Sequence, residues 1–434
     1  MSDFSRSAST RPALCRECDR VMHLPARAPG EAAHCPRCHH HVAGPAQRDM
    51  QRPMAWALAS LVLLGLVFAF DFLSFSTRGV GHTMSFVDAA GAMLGYDYPS
   101  LAAILLATTV LLPGAYLAAL LYIAAAAQSG ARVPGALVLA RTLRPMEPWM
   151  MADVFIVGVL VSLIKVVSLA EIEIGASFVA FCGYALCLLR TLMLIDWVTL
   201  WDALAPVPPL APEVRAGRSG RRQGLVVCAG CDAPFHDNPH HRCPRCGRRH
   251  LSHGADRLQL TWALIVTAAI LYIPANVYPI MAVTTLGSTD PQTIVGGVIS
   301  LAAHGSWPIA LVIFVASIVV PISKIAALAW LCRIAGRGGH ADSRSQMRLY
   351  RLTEKIGRWS MIDVFVVAVL GALVQAGALM AIRPGAAALA FAAVVVVTMI
   401  AALTFDYRHS GTSGGVPRGL IDIRRQRADL RAAL

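Results

Sequence analysis

Long apolar runs constrain this chain more than any other feature. Several exceed eighteen residues, the length that a helix needs to cross the hydrocarbon core of a bilayer. The candidate spans lie at about residues 54–73, 100–127, 150–169, 176–200, 260–283, 307–332 and 360–382, and an eighth follows Pro384 and ends near residue 405. The composition agrees, because 56% of the residues are hydrophobic and only 15% are charged. The sequence therefore predicts an all-α polytopic membrane protein with eight transmembrane helices.

One stretch occurs twice and indicates a tandem duplication. WSMIDVF begins at Trp359 and WMMADVF at Trp149, each a similar distance behind two Cys-x-x-Cys pairs. We therefore expect two four-helix halves, each preceded by a small zinc-ribbon-like module. The expected boundaries are 11–45 for module 1, 53–204 for half 1, 205–224 for a linker, 225–253 for module 2, 258–407 for half 2, and 408–434 for a flexible basic tail.

The charges in the loops predict how the chain is oriented in the membrane. The connection at 203–257 carries nine arginines against four acids, and the loop at 333–358 carries seven basic residues against two acids. The alternate loops hold only Arg78 and Arg383 among five acids. Since basic loops stay in the cytoplasm, both termini and both modules are expected there. The net charge of +13 then follows from topology, and nucleic-acid binding is not required.

Eight of the eleven cysteines form four Cys-x-x-Cys pairs, which predict two metal sites. The expected ligands are Cys15, Cys18, Cys35 and Cys38 in module 1, and Cys228, Cys231, Cys243 and Cys246 in module 2. Four thiolates can close a tetrahedral site, and a reducing cytoplasm favours metal over disulfides. We predict one structural Zn²⁺ in each module. Iron in a rubredoxin-like site, or redox-active thiols, use the same ligands and remain alternatives.

The sixth span contains a lysine on a polar face. Ser317, Pro321 and Lys324 are spaced i, i+4 and i+7, which places them on one side of the helix. The proline also frees a carbonyl one turn earlier. An ionisable group in hydrocarbon costs about 3 kcal/mol or more, and it usually marks a pathway or a site.

An aspartate in the seventh span is predicted to lie in the same layer. Ser360 and Asp363 share a face near the start of that span, and Thr398 lies at a similar depth in the eighth. We hypothesise that Lys324 and Asp363 form a pair that handles protons or gates a path. A structural ion pair, or a lysine that snorkels to the surface, is the alternative.

Half 1 has the same architecture with different residues. Tyr116 stands where Lys324 stands in half 2, while Asp153 keeps the aspartate. We therefore predict that half 2 is the working half. Its fifth span also carries Asn276 between Pro274 and Pro279, which indicates either a substrate-lining hinge or a helix end.

The residues do not point to an enzyme. The sequence contains no nucleophile elbow, phosphate-binding glycine loop or nucleotide-binding fingerprint. A transporter, a membrane redox or oxidative-stress protein that uses the Cys-x-x-Cys modules, and a passive membrane anchor remain open.

At this point the motifs resemble the paraquat-inducible protein A family. The resemblance rests on PANVYPIM at 274–281, GSWP at 305–308, PISK at 321–324, LYR at 349–351, GRWSMIDVF at 357–365, PG at 384–385 and FD at 405–406. It covers nearly the whole chain as two tandem copies. It is looser in half 1, where FLSF at 72–75 replaces the NVYP element and Tyr116 replaces the lysine.

The resemblance implies a bacterial inner-membrane protein that works with a periplasmic partner carrying mammalian-cell-entry domains. Such a partner forms a tunnel for phospholipid or other lipophiles between the inner and outer membranes. The protein would load or unload lipid for that tunnel. The polar intramembrane positions of the family map onto Lys324, Asp363 and, by architecture, Asp153.

Overall fold

The computed structural model describes most of both halves and both modules. The described residues are 11–24, 31–43, 50–77, 80–88, 91, 99–131, 133–166, 171–210, 214–236, 238, 240–249, 254–285, 288–303, 305, 307–337, 362, 365–366, 369 and 380–405. Ser360, Asp363 and the tail at 408–434 lie outside them.

Half 1 consists of apolar helices that run between two ends. We call the end that carries the cysteines the module end and the opposite end the sheet end. The helices are α1 Gln51–Val67, α2 Pro99–Leu106, α3 Leu112–Ser129, α4 Ala136–Met146, α5 Ala152–Val166, α6 Ala176–Leu194 and α7 Trp197–Leu204. A five-residue π-helical turn, Ala107–Leu111, joins α2 to α3.

Two of these helices lie at the module end. Helix α4 buries Ala136, Ala140 and Leu143, which recur at i, i+4 and i+7, so it packs one face against the half. Helix α7 begins at Asp196, whose carboxylate accepts a hydrogen bond from the amide of Val198 at 3.1 Å.

Half 2 repeats the arrangement of half 1. Its helices are α8 Gly254–Val277, α9 Ile294–Ala303, α10 Trp307–Phe314, α11 Val320–Arg337 and α12 Ala386–Thr404. A π-helical turn, Val315–Val319, joins α10 to α11. The π-helical turn lies two residues before the intrahelical proline in both halves, which are Pro113 and Pro321. The duplication therefore extends to an irregularity of the backbone.

A three-stranded antiparallel sheet closes the sheet end of each half. In half 1 the order is β6 Val80–Met84, β5 Leu73–Thr77, β7 Glu171–Ile174. In half 2 it is β11 Ser288–Gln292, β10 Met281–Thr285, β12 Met380–Pro384. These sheets were absent from the expectation of an all-α protein. Each one ties the first helix of its half to the last membrane-crossing helix, because β5 and β10 pair with the strands that precede α6 and α12.

A glycine at the same place in both halves permits this closure. Gly175 donates its amide to the carbonyl of Phe72, and Gly385 donates to that of Ile280. A Cβ at Gly175 would lie 2.0 Å from a carbonyl oxygen, and one at Gly385 would lie 2.1 Å from one. Only glycine allows the two backbones to approach this closely.

The halves contact each other through their third spans. Phe155 of α5 and Phe365, which occupy equivalent positions in the duplicated motif, have ring centroids 5.6 Å apart. The Cβ of Phe365 lies 3.0 Å from the position that a Cβ on Gly158 would take. The hydroxyl of Ser162 also lies 3.4 Å from the carbonyl oxygen of Val366. The repeated motif therefore packs against its own copy.

The modules are built from short antiparallel hairpins. Module 1 contains β1 Arg11–Leu14 paired with β2 Val21–Leu24, and β3 Ala33–His34 paired with β4 His41–Ala43. Module 2 contains β8 Leu225–Val227 paired with β9 Pro234–His236. The segment expected to be a linker contacts module 1, because the amide of Val21 donates to the carbonyl of Arg218 and the amide of Arg221 donates to the carboxylate of Asp19.

Module 2 docks on half 1, although it precedes half 2 in the sequence. Arg245 donates to the carboxylate of Asp202 at 2.7 Å and lies over the ring of Trp201. Asp232 forms ion pairs with Arg144 of α4 and with Arg16 of module 1. The buried apolar core of half 1 continues into module 2 through Ala233 and Phe235 and the module 2 cysteines. The two modules and half 1 therefore form one packed unit.

The helices confirm a multi-pass membrane protein. Among the described residues, six segments are long and apolar enough to cross a membrane, namely Ala102–Ser129, Ala136–Leu163, Ala176–Leu194, Arg257–Val277, Ala310–Gly336 and Ala386–Thr404. The second of them contains the break between α4 and α5, so we assign the crossing to α5. The expected first span corresponds to the 17-residue α1, and the expected span at 360–382 lies mostly outside the described residues. The total of eight remains a prediction.

Candidate functional site

All four Cys-x-x-Cys pairs have one backbone geometry. The amide of the first cysteine donates to the carbonyl two residues beyond the second, at 2.8–3.1 Å. The residue after the second cysteine has a positive φ and donates its amide to the carbonyl of the first cysteine. These residues are Asp19, His39, Asp232 and Gly247. Each loop therefore directs both sulfurs of its Cys-x-x-Cys pair to the same side.

The sulfurs of each module converge on one point. In module 1, Sγ of Cys15 lies 3.6 Å from that of Cys38, and Cys18 lies 3.5 Å from Cys35. In module 2 the corresponding distances are 3.4 Å for Cys228–Cys246 and 3.5 Å for Cys231–Cys243. All four sulfurs of a module lie within 4.8 Å of one another. A tetrahedral ion with sulfur ligands at about 2.3 Å needs sulfurs about 3.8 Å apart, so each cluster can hold one metal ion.

The module 1 thiols hold their protons tightly when no cation is bound. Burial raises the pKa of Cys38 to about 12. A hydrogen bond with the thiol of Cys18, followed by burial, raises the pKa of Cys15. Without a cation these buried thiols keep their protons at neutral pH. A metal ion displaces the protons and supplies the charge that four thiolates require.

Module 2 shares its protons differently. Hydrogen bonds from Cys231, Cys243 and Cys246 lower the pKa of Cys228, while the bonds that Cys231 makes to the other three thiols raise its own pKa. All four cysteines of module 2 are buried, whereas Cys18 of module 1 is half-buried.

Lys324 occupies a buried position in α11. Its side chain is 4% exposed, and its ammonium nitrogen has no hydrogen-bond partner among the residues that the structure describes. It lies eight residues before Cys332, or about 12 Å along the helix. A lysine without an acceptor at this depth is costly, so a charged or polar partner is required.

Polar groups of α8 approach the π-helical turn that precedes Lys324. The hydroxyl of Ser317 donates to the carbonyl of Ile313 at 2.7 Å. The hydroxyl of Tyr272 lies 3.5 Å from the carbonyl oxygen of Ser317, which belongs to the π-helical turn. The side-chain amide of Asn276 donates to the backbone carbonyl of Tyr272 at 2.9 Å. The structure therefore brings Asn276 and Ser317 together at Tyr272, which the sequence does not single out.

The other predicted residues are spread over both halves. Thr398 is buried in α12 and donates to the carbonyl of Val395 at 2.9 Å. Asp153 lies in the first turn of α5 and is half-buried. Ser360 and Asp363 lie outside the described residues, although their neighbour Ile362 is buried.

The position of Lys324 has a tyrosine counterpart in half 1 with fixed partners. Tyr116 is fully buried and donates to a carboxylate oxygen of Glu147 at 3.1 Å. The indole N–H of Trp197 donates to the same oxygen at 2.9 Å. The sequence analysis identified Tyr116 but missed Glu147 and Trp197, because their meeting depends on the position of α7.

Comparison with known proteins gives the same duplication. The family whose sequence model matches this chain is described as paraquat-inducible protein A, and it matches twice, at residues 50–205 and 258–410. The chain belongs to this family. The family resemblance inferred from the motifs is confirmed. The cysteine clusters lie outside both matched ranges.

Relatives of the family match over nearly their whole length. The chain is 42% identical to the intermembrane transport protein PqiA of Escherichia coli K12, over 92% of this chain and 94% of the relative. It is 30% identical to a probable intermembrane transport protein of Haemophilus influenzae, over 90% and 94% of the two chains. It is 26% identical to the lipophilic envelope-spanning tunnel protein A of E. coli K12, over 91% and 90%. No solved structure matches the chain.

Proposed function

We propose that this protein is the inner-membrane component of an intermembrane lipid transport system, with both termini in the cytoplasm. It loads or unloads phospholipid or another lipophile for a periplasmic tunnel partner that carries mammalian-cell-entry domains. The names of the relatives support a transport role rather than an enzymatic one. The single observation that carries the assignment to half 2 is Lys324, which is buried in an apolar helix without a described acceptor.

The lipid path lies in half 2 in this proposal. Lys324 and Asp363 form a pair that couples a change of protonation to a change of conformation. Ser317, Ser360, Thr398 and Asn276 supply polar contacts for a headgroup or a proton, and Pro321 supplies the bend. Asp153 is the equivalent of Asp363 in half 1, where the lysine is missing.

In this proposal the zinc ions stabilise the fold of the modules and do not bind the lipid. Each cluster of four cysteines has four sulfur ligands and no open position, which is typical of structural Zn²⁺. The favoured content is two zinc ions per chain.

Loss of the buried charge tests the proposed site. Lys324→Met keeps the length of the side chain and Asp363→Asn keeps its shape, and we expect each variant to fail to restore the envelope barrier in a strain that lacks this protein. The measurement is uptake of an impermeant dye at matched membrane levels of the protein. Ser323→Ala is the matched control, because Ser323 is adjacent but exposed on α11.

A normal barrier in both charge variants would reject the assigned site. If the variants retain the tunnel partner on co-purification but lose barrier function, the passive-anchor alternative is rejected.

A membrane redox protein is the second candidate function, and the observation in its favour is the two clusters of thiols. Metal analysis decides between structural zinc sites and redox-active cysteines. Bound iron, or cysteines that form disulfides on treatment with oxidant, would favour the redox function.

A further inference from the structure

The cysteine cluster of module 2 is contacted by arginines from two other parts of the fold. The guanidinium of Arg16 in module 1 donates to the carbonyl of Cys228 at 3.2 Å. The guanidinium of Arg141 in α4 donates to the carbonyl of Cys246 at 3.5 Å. Both carbonyls belong to predicted metal ligands. The loops of the module 2 cluster are therefore hydrogen-bonded to side chains of module 1 and of half 1.

An ion-pair network joins the same two parts of the fold to the residue after a third ligand. Asp232 follows Cys231 in the chain, and its carboxylate pairs with Arg16 and with Arg144 of α4. Arg141 and Arg144 are three residues apart, so they are neighbours on one face of the helix. That face of α4 therefore presents two guanidinium groups to the ligand loops of module 2.

A glycine in the first ligand loop of module 2 allows α4 to approach closely. Gly230 lies between the two ligands of this loop, and a Cβ there would lie 3.3 Å from the Cβ of Arg141. The amide of Gly230 donates to the sulfur of Cys228 at 3.3 Å. The same position of module 1 holds Glu17, whose carboxylate lies 2.8 Å from the imidazole of His40 in its own module. Helix α4 therefore packs directly on a ligand loop of module 2.

The charge of a loaded cluster gives these arginines a role. A divalent ion held by four thiolates carries two excess negative charges, and a buried charge needs compensating groups. A guanidinium stays protonated at physiological pH and stabilises a nearby thiolate. Asp232 offsets one of the three positive charges, so positive charge remains to face the cluster. Groups that contact the ligands from outside change metal affinity by about 10–100-fold.

We propose that Arg16 and Arg141 form part of the outer coordination sphere of the module 2 metal, so that the affinity of module 2 for its metal depends on its docking on half 1 and on module 1. Coupling of this kind is reciprocal, so the bound metal stabilises the docked arrangement by the same factor. The inference rests on the structural metal of the proposed function and is independent of the lipid path.

Metal competition in the full-length protein tests the proposal. The zinc-loaded protein is equilibrated with increasing concentrations of EDTA and then pulsed with N-ethylmaleimide, which modifies cysteines that have lost their metal. Mass spectrometry of the cysteine peptides gives the occupancy of each module separately. In the double variant Arg16→Gln/Arg141→Gln, the EDTA concentration at the midpoint for module 2 should fall about tenfold or more. Arg141→Gln alone should shift module 2 and leave module 1 unchanged.

Three further variants separate charge, docking and unspecific effects. The double variant Arg16→Lys/Arg141→Lys should recover part of the shift, because an ammonium also stabilises a thiolate. Arg222→Gln removes a positive charge from an exposed side chain before module 2 and should cause no shift. Asp202→Asn weakens the contact between α7 and Arg245 and should lower the metal affinity of module 2 with both arginines in place. This variant keeps the proposal testable if the arginine variants fold poorly.

Four results would overturn the proposal. They are an unchanged midpoint for module 2 in the double glutamine variant, an unchanged midpoint in Asp202→Asn, a lysine variant that behaves like the glutamine variant, and an equal shift of both modules in Arg141→Gln. The last result would indicate general destabilisation. A wild-type protein that binds no metal would instead reject the structural metal sites themselves, so the two failures can be told apart.

Discussion

Half 1 and half 2 share a backbone but differ where the chemistry is expected. Both have a π-helical turn two residues before a proline, and both have a buried polar side chain three residues after it. In half 1 this is Tyr116, which Glu147 holds in place. In half 2 it is Lys324, without a partner among the described residues. The scaffold is thus duplicated, while this position carries a cationic side chain in half 2 and a neutral one in half 1.

The carbonyl four residues before the proline contacts a tyrosine hydroxyl from a different helix in each half. In half 1 the carbonyl of Thr109 accepts a hydrogen bond from the hydroxyl of Tyr184 in α6 at 3.0 Å. In half 2 the carbonyl of Ser317 faces Tyr272 of the first helix, at 3.5 Å. The half 1 contact is shorter and lies between buried side chains. We infer that half 1 is the more rigid of the two.

The aromatic packing agrees with this inference. Half 1 contains a cluster of five buried phenylalanines, Phe72, Phe86, Phe155, Phe178 and Phe181, whose neighbouring rings have centroids 5.1–6.3 Å apart. The aligned buried positions of half 2 hold Ile280, Ile294, Phe365, Ala388 and Phe391. Three of the five positions therefore carry smaller side chains in half 2. If the lipid path lies in half 2 as proposed, we expect it to pass these smaller side chains.

The largest effect is expected from removal of a ligand in module 2. Cys231→Ser should release its metal and unfold the module, because metal binding supplies on the order of 10 kcal/mol to a small cysteine module. Since module 2 docks on α4 and α7, half 1 should lose protection from protease before half 2 does. The measurements are metal content and the order in which the halves are cleaved. Cys182→Ser, at a half-buried cysteine of α6 that is not a ligand, should keep both metals.

Cleavage of half 2 first would contradict the docking of module 2 on half 1.

The docking of module 2 on half 1 is a feature of the fold that the sequence does not predict. The spans, the duplication and both cysteine clusters follow from local patterns in Cys-x-x-Cys and in the apolar runs. The contact of Asp232 with Arg144 joins residues far apart in the chain. Sequence order alone suggests that module 2 packs on half 2, which follows it, rather than on half 1.

The three-stranded sheets are a second feature of the fold that the sequence does not predict. Strand β7 is only Glu171–Ile174, and its four residues between two apolar runs look like a loop. Its pairing with β5 depends on a partner about a hundred residues away, which periodicity cannot reveal. The same reason explains why Tyr116 was identified from alignment of the halves but Glu147 and Trp197 were not.

An exchange of the aligned core residues tests whether half 2 is the open half. Phe178→Ala should destabilise half 1 by about 3 kcal/mol, because it leaves a cavity among the rings, and transport should persist. Ala388→Phe places the half 1 residue in half 2, and it should block transport at a cost of about 1–3 kcal/mol in stability. Thermal unfolding and the dye-uptake assay measure the two effects. Full transport by Ala388→Phe would show that the lipid does not pass this position.

The smallest effect is expected at the position that distinguishes the halves. Tyr116→Phe removes the hydroxyl that donates to Glu147 but leaves the ring, so we expect a loss of about 1–2 kcal/mol in unfolding free energy. The carboxylate keeps its hydrogen bond from Trp197, and transport should remain near normal. Lys324→Met removes the aligned side chain in half 2 and leaves the carboxylate of Asp363 without the cation that is proposed to pair with it. Transport should fail, and the unfolding free energy should also fall, because the remaining carboxylate becomes an uncompensated buried charge. If Tyr116→Phe instead abolished transport with little change in stability, the polar group of half 1 would be part of the mechanism, and the two halves would act as a symmetric pair rather than as scaffold and path.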